Sequence, residues 1–273
     1  MFKLKILKGS SYIIPWWAAQ KAAQLFLTPK KYKRPQTEVG WYEKAIKRFL
    51  KSGLVINEWN PDGNKKVLLV HGWEGRGSQM GAFAEPLVQK GYHVIALDGP
   101  AHGDSPGQKL NAGVYSQSLV DVQNEMGSID TVIAHSFGGG CSIIACHKGL
   151  QLNKLVIIAS PSDYYWVIRS FLDFINLSAW AEKKFFRLLE KESKLKFDQL
   201  NIAELGTQVQ SKILLVHDKN DKDVPVHNAY VMNSYWPDHS ELYITEGLGH
   251  RRILKDQDVV QKVTEFIIKE KMD

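Results

Sequence analysis

Short apolar segments recur along most of this chain, and each is bounded by Gly, Pro, Asp or other polar residues. Uninterrupted apolar runs of this kind are typical of strands buried on both faces of a parallel sheet. Segments with a helical apolar period alternate with them, which predicts an α/β fold with a mostly parallel sheet. The predicted strands are 66–70, 93–97, 131–134, 154–159, 212–216 and 242–245, and the predicted helices are about 78–90, 112–126, 137–149, 226–236 and 256–270.

Two segments depart from this alternation. Residues 45–50 and 54–59 flank Lys51-Ser52-Gly53, a pattern that predicts a β-hairpin. Residues 160–210 separate two predicted strands, although a simple crossover needs far fewer residues. This long segment is rich in aromatic residues, so we expect a helical insertion that packs as a lid over the strand ends.

The composition is that of an ordinary globular protein. The chain has 273 residues, of which 44% are hydrophobic and 23% are charged. No apolar run approaches the roughly 20 residues that span a bilayer, and two cysteines cannot build a disulfide framework. Zinc-finger spacing is also missing from the sequence, so we expect no metal site.

Positive charge is concentrated at the N-terminus. Residues 1–52 hold 12 Lys and Arg against two Asp and Glu, while the whole chain carries only +6. The rest of the chain is therefore slightly acidic, and a nucleic-acid footprint across the protein is not supported.

The first 40 residues form a basic arm that contains an amphipathic helix. Pro15 suits the first turn of a helix that runs to about Leu27, with Trp16, Ala19, Ala23, Phe26 and Leu27 approximating one face. The arm lacks the order of regions found in a signal peptide, so we expect a cytoplasmic protein. Tryptophans beside lysines suit weak contact with a membrane surface. The alternative is a solvated arm docked on the body.

The clearest chemical signal is residues 134–140, with the sequence AHSFGGG. A predicted strand leads into Ser136, small residues surround it, and a predicted helix follows. This context is required of a nucleophile elbow, in which a tight turn exposes the serine hydroxyl. The alternative is a serine that only caps the helix.

Two further loops follow predicted strands. The sequence HGWEG at residues 71–75 forms a Gly-rich turn that can aim backbone N–H groups at a developing oxyanion, with Trp73 and Phe137 as the expected donors. The loop at 98–107 contains His102 and Asp104, for which we favour a structural role.

Candidate partners for the serine follow late strands. Asp218, Asp221 and Asp223 lie in the segment 217–225, and His250 ends the segment 246–250. The chain order is therefore serine, aspartate, histidine, and an imidazole is suited to accept and return a proton near neutral pH.

Taken together, these segments from about residue 45 to 270 resemble the α/β-hydrolase family. The resemblance implies an eight-stranded, mostly parallel sheet with helices on both faces and a helical lid insertion at about 160–210, in a domain spanning 41–273. It implies Ser136 as nucleophile, His250 as base and Asp221 as acid, because family members place the acid three residues before a Val-Pro pair, here 224–225. Ala134 departs from the family pattern, which has Gly there, and Asp163 is a more distant rival for the acid.

The resemblance implies a serine esterase or lipase-like enzyme that acts on a small acyl substrate without a cofactor. We expect its substrate to contact Trp73, His135, Tyr164 and Trp166. The alternatives are a thioesterase, amidase or C–C bond hydrolase with the same triad, and a non-catalytic binding protein on this fold. We expect Cys141 and Cys146 to be packing residues. The acyl and alcohol parts of the substrate and the oligomeric state are left open.

Overall fold

The computed structural model describes residues 2–197 and 200–269. Within these residues, eight strands form one sheet in the order β1-β2-β4-β3-β5-β6-β7-β8. The eight-stranded, mostly parallel sheet expected from the sequence is confirmed. The strands are β1 (Ile46–Phe49), β2 (Val55–Trp59), β3 (Lys66–Val70), β4 (His93–Asp98), β5 (Thr131–His135), β6 (Lys154–Ile158), β7 (Lys212–Asp218) and β8 (Ser240–Thr245).

The direction of the strands follows the sequence pattern. β1 and β2 form the predicted antiparallel hairpin, and β2 also pairs antiparallel with β4. β4, β3, β5, β6, β7 and β8 run parallel to one another. β5, β6 and β7 are almost entirely buried and are built from uninterrupted apolar runs, as expected for strands covered on both faces. The carboxyl ends of the parallel strands therefore meet at one edge of the sheet.

Helices cover both faces of the sheet, and each face has its own apolar core. One face carries the N-terminal helices together with the helices that follow β4, β5 and β6; the other carries a 3-10 helix at Gly77–Phe83, α4 and α12. The helices are α1 (Phe2–Ile13), α2 (Pro15–Leu27), α3 (Gln36–Glu43), α4 (Ala84–Gln89), α5 (Ala112–Met126), α6 (Phe137–His147), α7 (Tyr164–Ile175), α8 (Ala179–Ser193), α9 (Ile202–Gly206), α10 (His227–Tyr235), α11 (Gly249–Arg252) and α12 (Gln257–Ile268).

The N-terminal segment differs in two respects from the sequence prediction. α2 has the predicted bounds, but α1 precedes it and was not predicted, because its residues alternate between lysine and apolar side chains. The buried face of α2 consists of Ala18, Ala19, Ala22, Ala23 and Leu27, whereas Trp16 is 55% exposed. The prediction that Trp16 lies on the apolar face was wrong. Alanines form the buried face, and their small side chains let α8 approach α2 closely.

The segment between β6 and β7 is helical, and it packs against the N-terminal helices. Phe26 of α2 contacts Phe171 of α7 and Phe185 of α8, with ring centroids 4.9 and 5.9 Å apart. At the other end of α2, Ser178 before α8 is hydrogen-bonded to Ser11 of α1. We call α1, α2, α7 and α8 the cap. No helix in the described part of the chain is long and apolar enough to cross a membrane.

Trp236 fixes the end of α10 against α9. It is fully buried, its Nε1 donates to the Ala203 carbonyl oxygen at 2.7 Å, and a Cβ at Gly206 would fall 2.0 Å from its ring. We predict that Trp236→Ala lowers the free energy of unfolding by about 3–5 kcal/mol in urea denaturation, because it leaves a cavity and an unpaired carbonyl. Trp180→Ala, at a site 73% exposed, should change it by no more than about 0.5 kcal/mol.

Candidate active site

Ser136 occupies a sharp turn between β5 and α6. Its φ of 51° and ψ of −122° lie in a region that non-glycine residues rarely adopt. The close packing around the turn explains its small neighbours, since a Cβ at Gly138 would lie 2.6 Å from the His71 carbonyl oxygen. Ala134, where the family pattern has Gly, is fully buried in β5. The turn thus has the strand–serine–helix geometry of a nucleophile elbow.

Ser136, His250 and Asp221 form a chain of hydrogen bonds at the carboxyl edge of the sheet. The His250 Nε2 atom lies 3.0 Å from Ser136 Oγ, and its Nδ1 lies 2.7 Å from Asp221 Oδ2. Asp221 follows β7 and His250 follows β8, so three separate strand ends supply the three groups. A proton on Nδ1 donates to the carboxylate and leaves Nε2 free to accept the serine proton.

Four nitrogen atoms surround the Asp221 carboxylate, and one of them, His217 Nε2, makes its closer hydrogen bond to the Val224 carbonyl oxygen, at 2.9 Å. Its Oδ1 accepts the N–H groups of Asp223 and Val224, both at 2.9 Å, while Oδ2 faces His250 and, at 3.5 Å, the Nε2 of His217. Burial by itself would raise the pKa of this carboxyl, but the hydrogen bonds from His217, His250 and Val224 lower it well below its ordinary value. The group is therefore a carboxylate across the physiological pH range.

The rival aspartates have other partners. Asp218 is buried and accepts hydrogen bonds from the Thr245 hydroxyl and the Leu248 N–H, so it fixes the loop that carries His250. The Asp223 side chain is exposed, and Asp163 caps α7 by accepting from the Tyr165 N–H at 2.7 Å. Among the described residues, Asp221 is the carboxylate that contacts the imidazole of His250.

His135 was placed among the substrate-binding residues, and the structure corrects this. It is only 4% exposed, and its Nε2 lies 2.9 Å from the His250 carbonyl oxygen, to which it must donate. Burial and the nearby imidazole of His250 lower the pKa of His135 to about 3. His135 is therefore a neutral, buried ring that holds the backbone of His250 through a hydrogen bond to its carbonyl oxygen.

The Gly-rich turn after β3 lies against the serine. A Cβ at Gly72 would fall 2.9 Å from Ser136 Cβ, so only glycine allows this approach. His71 holds the turn, with Nδ1 donating to the Gly72 carbonyl at 2.7 Å and Nε2 accepting from the Gly99 N–H at 2.9 Å. Within the described chain, the N–H groups of Trp73 and Phe137 donate to no protein acceptor. Both stay available for a ligand oxygen.

The loop after β4 is structural, as the sequence favoured. Asp98 accepts the N–H groups of Gly77 and Asp104, at 2.6 and 2.9 Å. His102 accepts the Glu74 N–H at 3.0 Å through Nε2. Cys141 is also a packing residue, since burial raises the pKa of its thiol to about 12 and its sulfur contacts the Tyr164 hydroxyl.

A cleft of about 510 Å³ opens above Ser136. Trp73, Tyr164 and Trp166 line it, so three of the four side chains expected to contact substrate lie on its wall. The sequence missed the contribution of α2, whose residues 25–28 form another part of the wall, together with Phe171 and Phe174 of α7. The apolar position of Phe26 was visible in the sequence, but its neighbours were not. Within the described residues, no three His, Cys, Asp or Glu side chains converge to hold a metal ion.

Comparison with known proteins places the chain among serine hydrolases. The family model described as serine aminopeptidase, S33, matches residues 61–235. A serine hydrolase-like protein of Dictyostelium discoideum is 26% identical over 112 residues, which are 38% of this chain and 31% of that protein. The chain thus spans about a third of the length of this curated relative.

Two solved structures share the fold at low sequence identity. A putative lipase from Acinetobacter baumannii has a TM-score of 0.64 at 20% identity, covering 85% of this chain and 94% of that one. An esterase from Pyrococcus furiosus has a TM-score of 0.64 at 18% identity, covering 88% and 98%. At such identities the similarity establishes the fold and not the substrate.

The buried, neutral His135 makes stability sensitive to acid. Its pKa of about 3 in the folded protein lies below the ordinary 6.5, so below pH 6.5 the unfolded chain binds a proton that the folded chain does not. Stability therefore falls as pH decreases from about 6 towards 4, by up to about 1.4 kcal/mol per pH unit from this residue. We predict that the free energy of unfolding of His135→Gln, measured by urea denaturation at several pH values, falls less steeply than that of the wild type as the pH decreases. His227→Gln, which replaces an exposed imidazole, should follow the wild type; an equally steep loss for His135→Gln would contradict the prediction.

Proposed function

This chain belongs to the serine aminopeptidase S33 family of serine hydrolases with the α/β-hydrolase fold, and from that premise we propose that it cleaves carboxylic esters through an acyl-enzyme on Ser136. The observation that carries the proposal is the continuous hydrogen-bonded chain from Ser136 Oγ through His250 to Asp221, at 3.0 and 2.7 Å. Nucleophile, base and orienting group each lie within reach of the next.

In the first step, Ser136 Oγ attacks the carbonyl carbon of the ester while His250 Nε2 takes its proton. Asp221 holds the Nδ1–H tautomer and stabilises the imidazolium that forms. The negative charge on the former carbonyl oxygen is stabilised by the N–H groups of Trp73 and Phe137, for which residues 2–197 and 200–269 offer no competing acceptor. One such donor contributes roughly 10²–10³ in rate.

Collapse of the tetrahedral intermediate breaks the bond to the alcohol, which leaves with the proton returned by His250. The acyl group stays on Ser136. Water then enters, gives its proton to His250 and attacks the acyl carbon through a second tetrahedral intermediate. The products are the carboxylic acid and the free enzyme.

The cleft supports an apolar acyl group. Its lining near the serine comes mainly from aromatic and aliphatic side chains, among them Phe26, Val167, Phe171 and Phe197. Such a wall stabilises a hydrocarbon chain by removing it from water. The second candidate is hydrolysis of an amide by the same residues, and the description of the matching family favours it.

Replacement of the three groups tests the proposal. We predict that Ser136→Ala abolishes hydrolysis of p-nitrophenyl esters and labelling by a fluorophosphonate. Asp221→Asn should lower kcat by about 10⁴-fold, because the imidazole loses the partner that sets its tautomer.

Asp223→Asn is the matched control. This side chain lies on the wall of the cleft but is exposed, and only the backbone N–H of the residue contacts the carboxylate of Asp221, so kcat should stay within about threefold of wild type even if KM changes. Retained turnover in Ser136→Ala would refute the proposal. A wild-type protein that does not react with the fluorophosphonate would indicate a non-catalytic binding protein. Faster turnover of aminoacyl p-nitroanilides than of esters would favour the amide candidate.

Phe26 should set the preferred length of the acyl chain. It lines the cleft and is fixed by Phe171 and Phe185. We predict that Phe26→Ala raises kcat/KM for long-chain relative to short-chain p-nitrophenyl esters by roughly 10-fold or more, and that Phe26→Trp shifts the ratio in the opposite direction. Each variant serves as the control for the other, because general damage to the cap would lower the rates of both variants with long and with short esters alike.

A further inference from the structure

The cap exposes large apolar side chains to solvent. Tyr12 and Ile13 at the end of α1 are 69% and 82% exposed, Phe174 of α7 is 72% exposed, and Trp180 of α8 is 73% exposed. Single exposed apolar residues are ordinary, but groups of large ones mark a surface that meets something apolar. These four belong to three elements of the cap.

Hydrogen bonds between two serines hold the end of α1 beside the start of α8. The Ser178 N–H donates to Ser11 Oγ at 2.9 Å, and Ser178 Oγ donates to the Ser11 carbonyl oxygen at 2.5 Å. Tyr12 directly follows Ser11 in the chain, and Trp180 lies two residues beyond Ser178. We define the cap face as these exposed residues with the next two along the N-terminal segment: Tyr12, Ile13, Ile14, Trp16, Phe174 and Trp180.

Positive charge surrounds the cap face. Residues 2–27 contain four lysines and no Asp or Glu, and the side chains of Lys8 and Lys21 are exposed. On α8, Lys183 is exposed and Lys184 places its Nζ 5.9 Å from the centroid of the Trp180 ring.

Basic residues outnumber acidic ones in the cap, because α1, α2, α7 and α8 contain nine Lys and Arg against four Asp and Glu. Both Asp173 and Glu182 bind Arg169, at 2.9 and 2.7 Å. The lysines around the cap face are therefore in excess, and the face combines exposed apolar rings with positive charge.

The cap face continues into the cleft. Phe174 belongs to the cap face and also lines the cleft above Ser136. A molecule that leaves an apolar phase at the cap face therefore meets apolar side chains on its way to the serine.

We propose that the cap face docks on an anionic membrane surface. Four aromatic rings and two isoleucine side chains enter the boundary between headgroups and acyl chains, while the lysines bind the anionic headgroups. A second copy of the chain fits less well, because a symmetric contact would bring two positively charged faces together. Docking rests on the cap alone; only delivery of a lipid ester to Ser136 rests on the proposed function.

Vesicle sedimentation with the full-length Ser136→Ala protein tests the docking without turnover. Binding is expected to vesicles of phosphatidylcholine mixed with phosphatidylserine, weaker in high salt, and much weaker to phosphatidylcholine alone. Ile13→Ser combined with Trp180→Ser should lower the partition coefficient by at least about tenfold. Lys183→Gln combined with Lys184→Gln should lower it by roughly 30-fold.

Phe49→Ser is the matched control, because Phe49 is 67% exposed but lies in β1 at the edge of the sheet. It should bind vesicles like the parent protein. Failure of the parent to bind mixed vesicles would overturn the proposal, and so would equal loss in Phe49→Ser or undiminished binding by the cap-face variants. The alternative is that the cap face binds a second copy of the chain. In that case light scattering would give a dimer mass for the parent and a monomer mass for the cap-face variants, and the parent would not bind vesicles. Fluorophosphonate labelling of the wild type is independent of all these outcomes.

Discussion

The geometry of the candidate active site depends on one close backbone approach, that of the Gly72 turn to the turn at Ser136. A Cβ at Gly72 would collide with Ser136, and a Cβ at Gly138 would collide with the His71 carbonyl, so neither position has room for a side chain. The strands that carry the two turns, β3 and β5, are paired in parallel and place Val70 beside Ala134. The left-handed φ of Ser136 costs on the order of 1–3 kcal/mol, and the paired, buried strands maintain it. As a result, Ser136 and the two residues whose N–H groups donate to no acceptor in the described part of the chain, Trp73 and Phe137, line the same cleft.

Buried histidines stabilise this arrangement as neutral hydrogen-bonding groups. Burial lowers the pKa of His71 well below its ordinary value, and that of His135 to about 3. A neutral imidazole can donate at one nitrogen and accept at the other, and His71 uses both to join the turns after β3 and β4. Such rings fix loops without placing another positive charge beside His250. In the proposed mechanism, the base is the imidazole that is hydrogen-bonded to the Asp221 carboxylate.

Much of the fold could be predicted because the apolar runs that mark strands and the small residues that mark sharp turns are local signals. The serine and histidine of the site could be found in the same way. Choosing Asp221 over Asp218 required the family resemblance, since both follow the predicted strand 212–216; in the structure Asp218 ends β7 and is held by its own loop hydrogen bonds. The error over His135 has a similar origin. Its position beside the serine in the chain does not reveal that its ring turns away from the cleft towards His250.

The largest difference between the sequence prediction and the structure concerns the cap, whose helices form part of the wall of the cleft. An apolar stripe on α2 is visible in the sequence, but the sequence does not show that α8 covers its alanines while Phe26 reaches the cleft. α1 and α2 lie outside residues 61–235, where the chain matches its family, whereas the serine, the aspartate and most of the sheet lie inside. Ser136 and Asp221 thus lie within the matched segment, whereas His250, which follows β8, lies beyond its end. The side chains that line the cleft, and those that form the exposed apolar and basic face, come in part from a segment that the family pattern does not describe. Knowledge of the family therefore constrains the proposed reaction more tightly than its substrate, and the acyl preference that we propose depends on how the N-terminal helices of this chain pack.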